Sequence, residues 1–407
     1  MSYTADHNRL KTTINFIQDS IQADDSIDVL NFDFTSASYT ILPGEDHYPC
    51  AEHQFSSNYC YPFDASAGIV HDVLDVHDSH IEENIRFRYH IFMPKGQKTS
   101  NKVVLMLHGF NEKSWSKYYT WAKRIVEETG KAVILFPIAL HMNRAPMSWS
   151  ETRGMFTASE QRKKQYPYVL NSSLSNVAIS TRLHAKPQRY VWSGLQTYYD
   201  IIQLVEQIKA GQHSAIEASA GIDIFAYSIG AFLAEILMMA DHNNYFSQSK
   251  LVMFCGGPVF NRISPVSKFI LDSEADVRLY SFLVEHLDSH IEKDDRLKHY
   301  LGEQHIEGLY FRSMLNYSAF SELRENRFRE IADRMYALAL EGDTVIYPYE
   351  VLNTLQGKYR NIPVAVDILQ LPYPFIHEVP FPSTAKIANE VSEQFDNVFN
   401  RICKQLQ

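Results

Sequence analysis

The sequence predicts an α/β fold in which a mostly parallel central sheet is covered by helices on both sides. From about residue 70 onward, short apolar runs rich in Val, Ile and Leu alternate with segments of helical periodicity. Most runs lack the polar–apolar alternation of half-exposed strands, which is typical of strands buried on both faces. Regular alternation of such strands with helices favours a parallel sheet with crossover helices.

The predicted strands are short and apolar. In chain order they are VHDVLDV (70–76), NIRFRYHIFMP (84–94), KVVLML (102–107), KAVILF (131–136), IDIFAY (222–227), KLVMFC (250–255), YALAL (336–340) and VAVDILQL (364–371). The first two are predicted to pair with each other.

Helices are predicted between these strands. One lies near 114–129 and ends at Gly130. Another lies near 194–209, where Ser193 and Gln196 have the spacing of a capping box. The last begins near 384 and places one apolar face along its length, at Ile387, Val391, Phe395, Val398 and Ile402.

The chain is predicted to have a core with additions. Residues 1–70 are mixed and polar and are interpreted as an N-terminal extension. The core comprises 71–260 and 334–407, and 261–333 form a helical cap insertion, with a further excursion at about 140–190. Both insertions leave from the carboxyl end of a strand, the edge at which open α/β sheets bind ligands, so we expect them to roof a site.

Composition excludes several classes of protein. The formal net charge is −10, with 45 % hydrophobic and 21 % charged residues, which disfavours nucleic acid as a partner. No window of eighteen apolar residues predicts a membrane span, and the N-terminus lacks the apolar core of a signal peptide. We therefore expect a cytoplasmic protein with a small-molecule substrate. Its cysteines are expected to be free thiols: Cys50, Cys60, Cys255 and Cys403.

The segment GIDIFAYSIGAFLAE (221–235) runs from a strand through a serine into a helix with almost no loop. Such a turn forces its apex, Ser228, into a strained backbone conformation and exposes the hydroxyl at the sheet edge. The residues two before and two after the apex must be small, and they are Ala226 and Gly230.

This segment resembles the nucleophile elbow of the α/β-hydrolase superfamily. The usual pattern is G-x-S-x-G, and Ala226 stands here in place of the first glycine. The resemblance covers roughly residues 85–405 by order of elements. The segments FPIALHMNRAP and SGLQTYYD resemble a bacterial branch of the superfamily, which implies no particular substrate.

The resemblance implies an acid and a histidine after the serine, in that order. Asp343 follows a predicted strand in the context GDTV, with Glu341 as the alternative acid, and His377 lies in HEVPF after the last core strand. The resemblance also implies an oxyanion hole from the backbone N–H groups of Ile229 and Phe110.

These residues predict a serine hydrolase that cleaves an ester, or less readily an amide, through an acyl-enzyme and with no cofactor. Other interpretations remain open. Ser228 can be a small residue closing a tight turn, Asp343 a turn residue and His377 a polar loop residue. The protein can also be a non-catalytic member of the fold that binds a ligand or partner.

A polar cluster follows the strand KAVILF at the same sheet edge. His141, Asn143 and Arg144 are predicted to contact a polar or anionic part of the substrate. The alternative is that Arg144 pairs with an acidic residue of the cap and has a structural role.

The N-terminal segment DHYPCAEHQFSSNYC contains residue types that bind zinc, at His47, Cys50, His53 and Cys60. Their spacing matches no known zinc finger, so no metal is predicted, and a zinc-stabilised interaction protein is kept as an alternative.

His108 is expected to be a structural loop residue, and His299 and His305 are expected to be solvated on the helical insertion. The run HDVLDVHDSH (71–80) is expected to alternate as a strand, with its polar residues facing water.

Overall fold

The computed structural model describes residues 2–58 and 74–407. Its strands, in chain order, are β1 (Ser20–Gln22), β2 (Ile27–Thr35), β3 (His47–Pro49), β4 (Ser56–Asn58), β5 (Arg86–Pro94), β6 (Ser100–Leu107), β7 (Ala132–Leu135), β8 (Ile216–Tyr227), β9 (Leu251–Phe254), β10 (Met335–Glu341) and β11 (Ala365–Gln370).

Its helices are α1 (Tyr3–Thr13), α2 (Glu82–Ile85), α3 (Ser116–Thr129), α4 (Thr152–Gln165), α5 (Val177–Ala185), α6 (Arg189–Lys209), α7 (Ile229–Ala240), α8 (Ser273–Tyr280), α9 (Leu287–Lys293), α10 (Asp295–Tyr300), α11 (Ile306–Ser313), α12 (Ser321–Ile331), α13 (Pro348–Leu355) and α14 (Ala388–Leu406).

The central sheet has nine strands in the order β1-β2-β5-β7-β6-β8-β9-β10-β11. All pairs from β7 to β11 are parallel, whereas β5 is antiparallel to both of its neighbours and β1 is antiparallel to β2. Strands such as β7 and β9 are buried at every position, as their apolar sequences predict. The predicted mostly parallel sheet is confirmed.

Helices cover both faces of this sheet. On one face, α1, α3 and α14 bury aromatic side chains such as Trp121 and Phe399 against the strands. On the other face, α6 and α7 pack on β8 and place Leu195, Ile201 and Ile236 in a second core. The result is the α/β-hydrolase architecture that the sequence predicts.

The N-terminal residues are part of the sheet and not merely an extension of it. β2 pairs with β5 along its whole length, from Ile27 opposite Pro94 to Thr35 opposite Arg86. The sequence predicts that β5 pairs with a strand at 70–76. Residues 70–73 lie outside the described residues, and 74–76 form no strand, so the prediction is wrong for this part. Asp78 does not face water either, because its carboxylate is buried and accepts a 2.9 Å hydrogen bond from Arg189.

The helix predicted at 194–209 begins earlier than expected. α6 starts at Arg189, so Ser193 lies inside the helix and cannot cap it. Its hydroxyl instead donates to the carbonyl of Arg189 at 2.6 Å, a common use of serine within helices.

The two long connections are helical and pack on each other. Residues 261–333 carry α8 to α12, and the connection at 140–190 carries α4 and α5. α5 packs against α8, and a buried ion pair joins Arg162 of α4 to Asp272 at the start of α8, with Nη2 and Oδ1 2.9 Å apart. The two connections therefore pack together through α4, α5 and α8.

Within the described ranges, no helix combines the length and the apolar character needed to cross a lipid bilayer.

Candidate active site

Ser228 occupies the turn between β8 and α7. Its backbone angles, φ 56° and ψ −123°, lie where non-glycine residues are rarely found. The turn is tightly packed on both sides. A Cβ at Gly230 would lie 2.7 Å from the carbonyl oxygen of Leu107, and a Cβ at Gly256 would lie 2.9 Å from the carbonyl oxygen of Ser228. The glycine that the sequence motif places at position 230 is thus required by the packing.

The structure brings Ser228, His377 and Asp343 into one chain of hydrogen bonds. The Oγ of Ser228 lies 2.8 Å from Nε2 of His377. Nδ1 of the same ring donates to Oδ2 of Asp343, also at 2.8 Å. All three side chains are largely buried. With Nδ1 protonated toward the carboxylate, Nε2 presents its lone pair to the serine hydroxyl, which is the arrangement of a general base beside a nucleophile.

Asp343 is held by the turn that follows β10. Gly342 has φ 88°, a left-handed conformation that lets the chain reverse directly after the strand. The second carboxylate oxygen, Oδ1, accepts the backbone N–H groups of Val345 and Ile346 at 2.9 and 3.0 Å. Asp343 is 2 % exposed, whereas the alternative acid, Glu341, is exposed and makes no contact with His377. The carboxylate that orients the histidine is therefore that of Asp343.

His377 is fixed through its backbone as well as its ring. The hydroxyl of Tyr227 donates to the carbonyl oxygen of His377, and the two rings stack with centroids 5.5 Å apart and an interplanar angle of 17°. Lys117 Nζ donates to the neighbouring carbonyl of Glu378 at 2.9 Å and lies 4.4 Å above the Tyr227 ring. The loop after β11 is thus attached to the strand that carries Ser228.

The loop after β6 is also fixed by polar contacts. The N–H of Gly109 donates to the Tyr118 hydroxyl at 2.8 Å, and this hydroxyl donates to Glu112 at 3.2 Å. Asn111, with φ 56°, donates to the backbone carbonyls of Ser175 and Phe269. Phe110 lies between these anchored residues. No hydrogen bond joins its backbone N–H to any residue in the described part of the chain.

A cavity that is partly open to solvent lies over Ser228. Its walls are apolar apart from Ser228 and the phenol of Tyr190, and they carry no charged side chain among the described residues. They come from the core, from α6 and from the helical insertion: Phe110, Tyr190, Ser228, Ile229, Phe232, Gly257, Pro258, Phe260, Ile263, Pro265, Ile270, Leu271, Val345 and Ile346. Phe110 and Ile229 thus lie on the same cavity as the serine.

Arg144 does not reach this cavity, and its predicted contact with substrate is not supported. The guanidinium is 0 % exposed and pairs with Asp200 of α6 at 2.7 Å. It also donates to the Asn84 side chain at 3.0 Å and lies 4.2 Å from the ring of Phe87. Its role is structural, although its acidic partner lies on a core helix and not on the cap.

The other two residues of the predicted polar cluster also make internal contacts. Asn143 donates from its side chain to the carbonyl of Arg88 at 2.7 Å and does not line the cavity over Ser228. Nδ1 of His141 donates to the carbonyl of Ala139 at 2.9 Å, and burial lowers the pKa of this ring to about 4. His141 lines a neighbouring cavity that shares Phe110 and Tyr190 with the first. Neither residue supplies a positive charge to the cavity over Ser228.

Two residues beside Ser228, His377 and Asp343 carry no signal in the sequence. One is Tyr227, already described. The other is Cys255, a buried cysteine whose thiol is close enough to Asp343 to feel its charge. Burial and the negative charge of Asp343 raise the pKa of this thiol well above its usual range, so it stays protonated. Both contacts depend on neighbouring strands and loops, which no local pattern reveals.

The predictions for three histidines away from the triad have different outcomes. His108 is a buried loop residue: Nδ1 donates to the carbonyl of Gly109 at 2.8 Å, and Nε2 accepts the N–H of Ile138 at 2.9 Å. His299 and His305, expected to be solvated, are 5 % and 2 % exposed, so that expectation is wrong.

The sequence matches one protein family over residues 1–406, described as a family of unknown function (DUF6051). No curated protein matches it.

Several solved structures have a similar fold. Carboxyl esterase 2 from the mycorrhizal fungus Tuber melanosporum has 10 % identity and a TM-score of 0.43 over 79 % of this chain and 81 % of that one. Esterase Est22 has 12 % identity and a TM-score of 0.46 over 98 % and 86 %. A soluble variant of monoglyceride lipase from Saccharomyces cerevisiae has 11 % identity and a TM-score of 0.40 over 79 % and 91 %. Such identities and TM-scores carry no information on substrate.

Proposed function

We propose that this chain, which belongs to the DUF6051 family, is a serine hydrolase that cleaves esters with an uncharged, apolar acyl group. The observation that carries this proposal is the hydrogen-bonded chain from Ser228 through His377 to Asp343, which opens on an apolar cavity. A serine that merely closed a turn would not need a buried histidine 2.8 Å from its hydroxyl, itself oriented by a buried carboxylate.

The proposed reaction begins with attack of Ser228 Oγ on the ester carbonyl carbon. Nε2 of His377 accepts the hydroxyl proton as the C–O bond forms and then donates it to the departing alcohol. Asp343 keeps Nδ1 protonated and stabilises the charged imidazole ring. Water then attacks the acyl-enzyme with the same histidine as base, and the carboxylic acid and free Ser228 are the products.

The negative charge that develops on the carbonyl oxygen needs donors in fixed positions. We assign this role to the backbone N–H groups of Phe110 and Ile229, which border the cavity that contains Ser228. Ile229 is the first residue of α7, where the helix dipole also favours negative charge. The anchoring of Gly109 and Asn111 fixes the backbone around Phe110 before substrate binds, as electrostatic stabilisation requires.

The side chains that line the cavity favour an acyl group that is uncharged and apolar. They are aliphatic and aromatic and contain no cation, and the buried Arg144–Asp200 pair leaves no guanidinium for a carboxylate. An anionic acyl chain would lose its hydration there without gaining a partner. The preferred substrate is therefore a neutral ester. For chains short enough to fit, each methylene that enters contributes about 0.8 kcal/mol, or about fourfold in kcat/KM.

The deciding experiment is labelling with a fluorophosphonate probe, which reacts only with activated serines. We expect wild type and Ser214→Ala, a change at an exposed serine, to be labelled equally, and Ser228→Ala not to be labelled. Labelling of folded Ser228→Ala at the wild-type rate, or a wild type that is never labelled, would refute the proposal and favour a non-catalytic binding protein.

A panel of p-nitrophenyl esters tests the acyl preference. We expect kcat/KM to rise with chain length from acetate until the cavity is filled, and a hemisuccinate ester to react poorly. Equal rates for neutral and anionic esters of the same length would contradict the preference for uncharged acyl groups, while leaving the nucleophile assignment intact.

A further inference from the structure

Four side chains from opposite parts of the chain converge away from the proposed active site. They are Cys50 and His53 from the N-terminal segment between β3 and β4, and His299 and His305 from the helical insertion. One potential ligand atom from each lies within 4.8 Å of the corresponding atoms of all the others. Cys50 Sγ is 3.5 Å from His53 Nδ1 and 3.5 Å from His305 Nε2, and the Nε2 atoms of the two insertion histidines are 3.2 Å apart.

Three of the six separations are close to those of ligands around one tetrahedral zinc ion, and none exceeds 4.8 Å. Zinc bonds of about 2.3 Å to sulfur and about 2.0–2.1 Å to nitrogen place a sulfur and a nitrogen about 3.5 Å apart, and two nitrogens about 3.4 Å apart. These three contacts therefore match the ligand separations expected around a tetrahedral zinc ion.

The hydrogen bonds around the cluster orient both insertion histidines toward its centre. Nδ1 of His299 donates to Oε1 of Gln304 at 2.7 Å, and Nδ1 of His305 donates to Glu307 at 2.8 Å. Glu307 also accepts a hydrogen bond from Tyr199. With both Nδ1 atoms protonated, the two Nε2 atoms face each other with lone pairs, which repel unless a cation lies between them. A carboxylate or carbonyl behind the imidazole is the usual support of a metal-binding histidine.

Aromatic rings enclose the cluster. Phe55 stacks on His299 with centroids 3.9 Å apart, and Tyr300 stacks on His305 at 4.7 Å. These contacts fix the imidazole planes and limit the access of water. A thiol and three imidazoles held in an enclosed, preformed arrangement are a ligand set suited to zinc.

We propose that Cys50, His53, His299 and His305 bind one zinc ion that joins the N-terminal segment to the helical insertion. Four protein ligands leave no open position, so the site is structural and not catalytic. On binding, the Cys50 thiol releases its proton to solvent and coordinates as thiolate. The proposal does not depend on the chemistry at Ser228.

Metal analysis of the full-length, tag-free chain is the first test. We expect one zinc per chain in wild type and in His47→Gln, because His47 lies on the same segment but is exposed and bonded to Asn58. Cys50→Ser and His299→Gln should lose the zinc. Wild-type protein without zinc after dialysis against a zinc buffer would overturn the proposal, as would ligand variants that retain as much zinc as His47→Gln.

Cobalt replacement provides a second readout that does not require a folded ligand variant. Wild-type chain stripped with a chelator and titrated with Co²⁺ should develop intense visible bands of tetrahedral coordination and a near-ultraviolet thiolate-to-cobalt band, with one equivalent at saturation. Weak bands of octahedral cobalt, or no thiolate band, would refute the assigned ligands. Glu307→Gln should weaken zinc binding by about 10–100-fold, as expected for a positioning residue behind a ligand.

Discussion

The carboxylates of Glu341 and Asp343 are two residues apart in the chain but lie in opposite surroundings. Glu341 ends β10 and is exposed, whereas Asp343 is buried against His377 and two backbone N–H groups. Asp343→Asn should lower kcat by about 10³–10⁴-fold, because an amide no longer favours the tautomer with Nδ1 protonated. Steady-state kinetics should show that Glu341→Gln leaves kcat unchanged. A large loss of kcat in Glu341→Gln alone would show that the acid is Glu341 and that the assignment to Asp343 is wrong.

Glu235, inside α7, is a buried acid that the proposed mechanism does not use. Its side chain is fully buried, and no described residue donates a hydrogen bond to either carboxylate oxygen. Burial raises its pKa well above the ordinary value, only partly offset by the charge of Arg324. The folded state therefore keeps a proton that the unfolded chain loses, so this residue reduces the free energy of unfolding as the pH rises above about 4.3.

Replacement of this acid by an apolar side chain of similar length should stabilise the protein. We expect Glu235→Met to raise the free energy of unfolding at pH 7 by about 1–3 kcal/mol, the cost of a buried unsatisfied polar group. The gain over wild type should shrink toward pH 4, where the acid is protonated in both states. Denaturant unfolding of both proteins at several pH values measures this difference, and a gain independent of pH would show that packing and not titration is the cause.

A functional residue can be predicted from the sequence when the residues that identify it are neighbours in the chain. Ser228 lies in a motif of five residues, and Asp343 and His377 follow from chain order after strands of one parallel sheet. The four residues of the proposed zinc site form two pairs, Cys50 with His53 and His299 with His305, far apart in the chain. The first pair belongs to the alternative set of the sequence, in which His47 bonds Asn58 and Cys60 lies outside the described residues, whereas no pattern in the sequence joins the second pair to the first.

At the scale of elements, α7 must approach the end of β6 closely for Ser228 to project from the turn. A methyl group on Gly230 would lie 2.7 Å from the Leu107 carbonyl oxygen and 2.9 Å from that of His108. Gly230→Ala should therefore cost about 1–3 kcal/mol of stability and also lower kcat, because the helix and the loop before Phe110 must separate. Gly221→Ala is the matched control, since nothing lies within 4 Å of its Cβ position. Equal melting temperatures and rates for the two variants would contradict this packing.

The buried Arg144–Asp200 pair holds the loop after β7 against α6. Removal of one partner leaves an uncompensated buried charge, so Arg144→Met should cost about 3–5 kcal/mol. Because the guanidinium does not touch the cavity over Ser228, the variant should lose neutral and anionic ester hydrolysis in the same proportion. Melting temperatures and kcat/KM for both ester classes test this. A selective loss of anionic esters at an unchanged melting temperature would restore a substrate role for Arg144.

Elements with a strong apolar signal were easier to predict than those defined by their partners. β6 to β11 agree with the predicted strands to within a few residues, apart from the amino-terminal end of β8. For β7, β9 and most of β10 the reason is continuous burial, which leaves continuous apolar runs, whereas the edge strand β11 is half-exposed. β2 was missed because its apolar residues shift from one face to the other: Ile27 and Val29 are buried, Leu30 and Phe32 are half-buried, and the polar Asn31 is buried.

The start of α6 was misplaced because Ser193 and Gln196 have the spacing of a capping box. In the structure both residues lie inside the helix, and the Ser193 hydroxyl bonds the carbonyl of Arg189.

At the scale of the whole molecule, the parallel sheet explains why distant residues meet. Ser228, Asp343 and His377 each follow the carboxyl end of a parallel strand, so the topology alone places them on one edge. What covers that edge is set by contacts between insertions, such as the buried Arg162–Asp272 pair. Those contacts join segments with no shared sequence pattern, so the sequence does not predict which side chains of the connection at 261–333 line the cavity over Ser228.

The lining contributed by the insertion should determine which esters the protein accepts. Ile263 is partly exposed on this wall of the cavity, so a larger side chain can enter the cavity without overpacking the core. We expect Ile263→Trp to reduce kcat/KM for long acyl esters by roughly tenfold or more, while acetate esters keep their rate because the reacting groups are untouched. Val277→Trp is the control, a change on the same insertion at a side chain that is 66 % exposed. If Ile263→Trp lowered the rates for acetate and long esters equally, the acyl chain would have to lie elsewhere, and the cavity over Ser228 would instead receive the leaving alcohol.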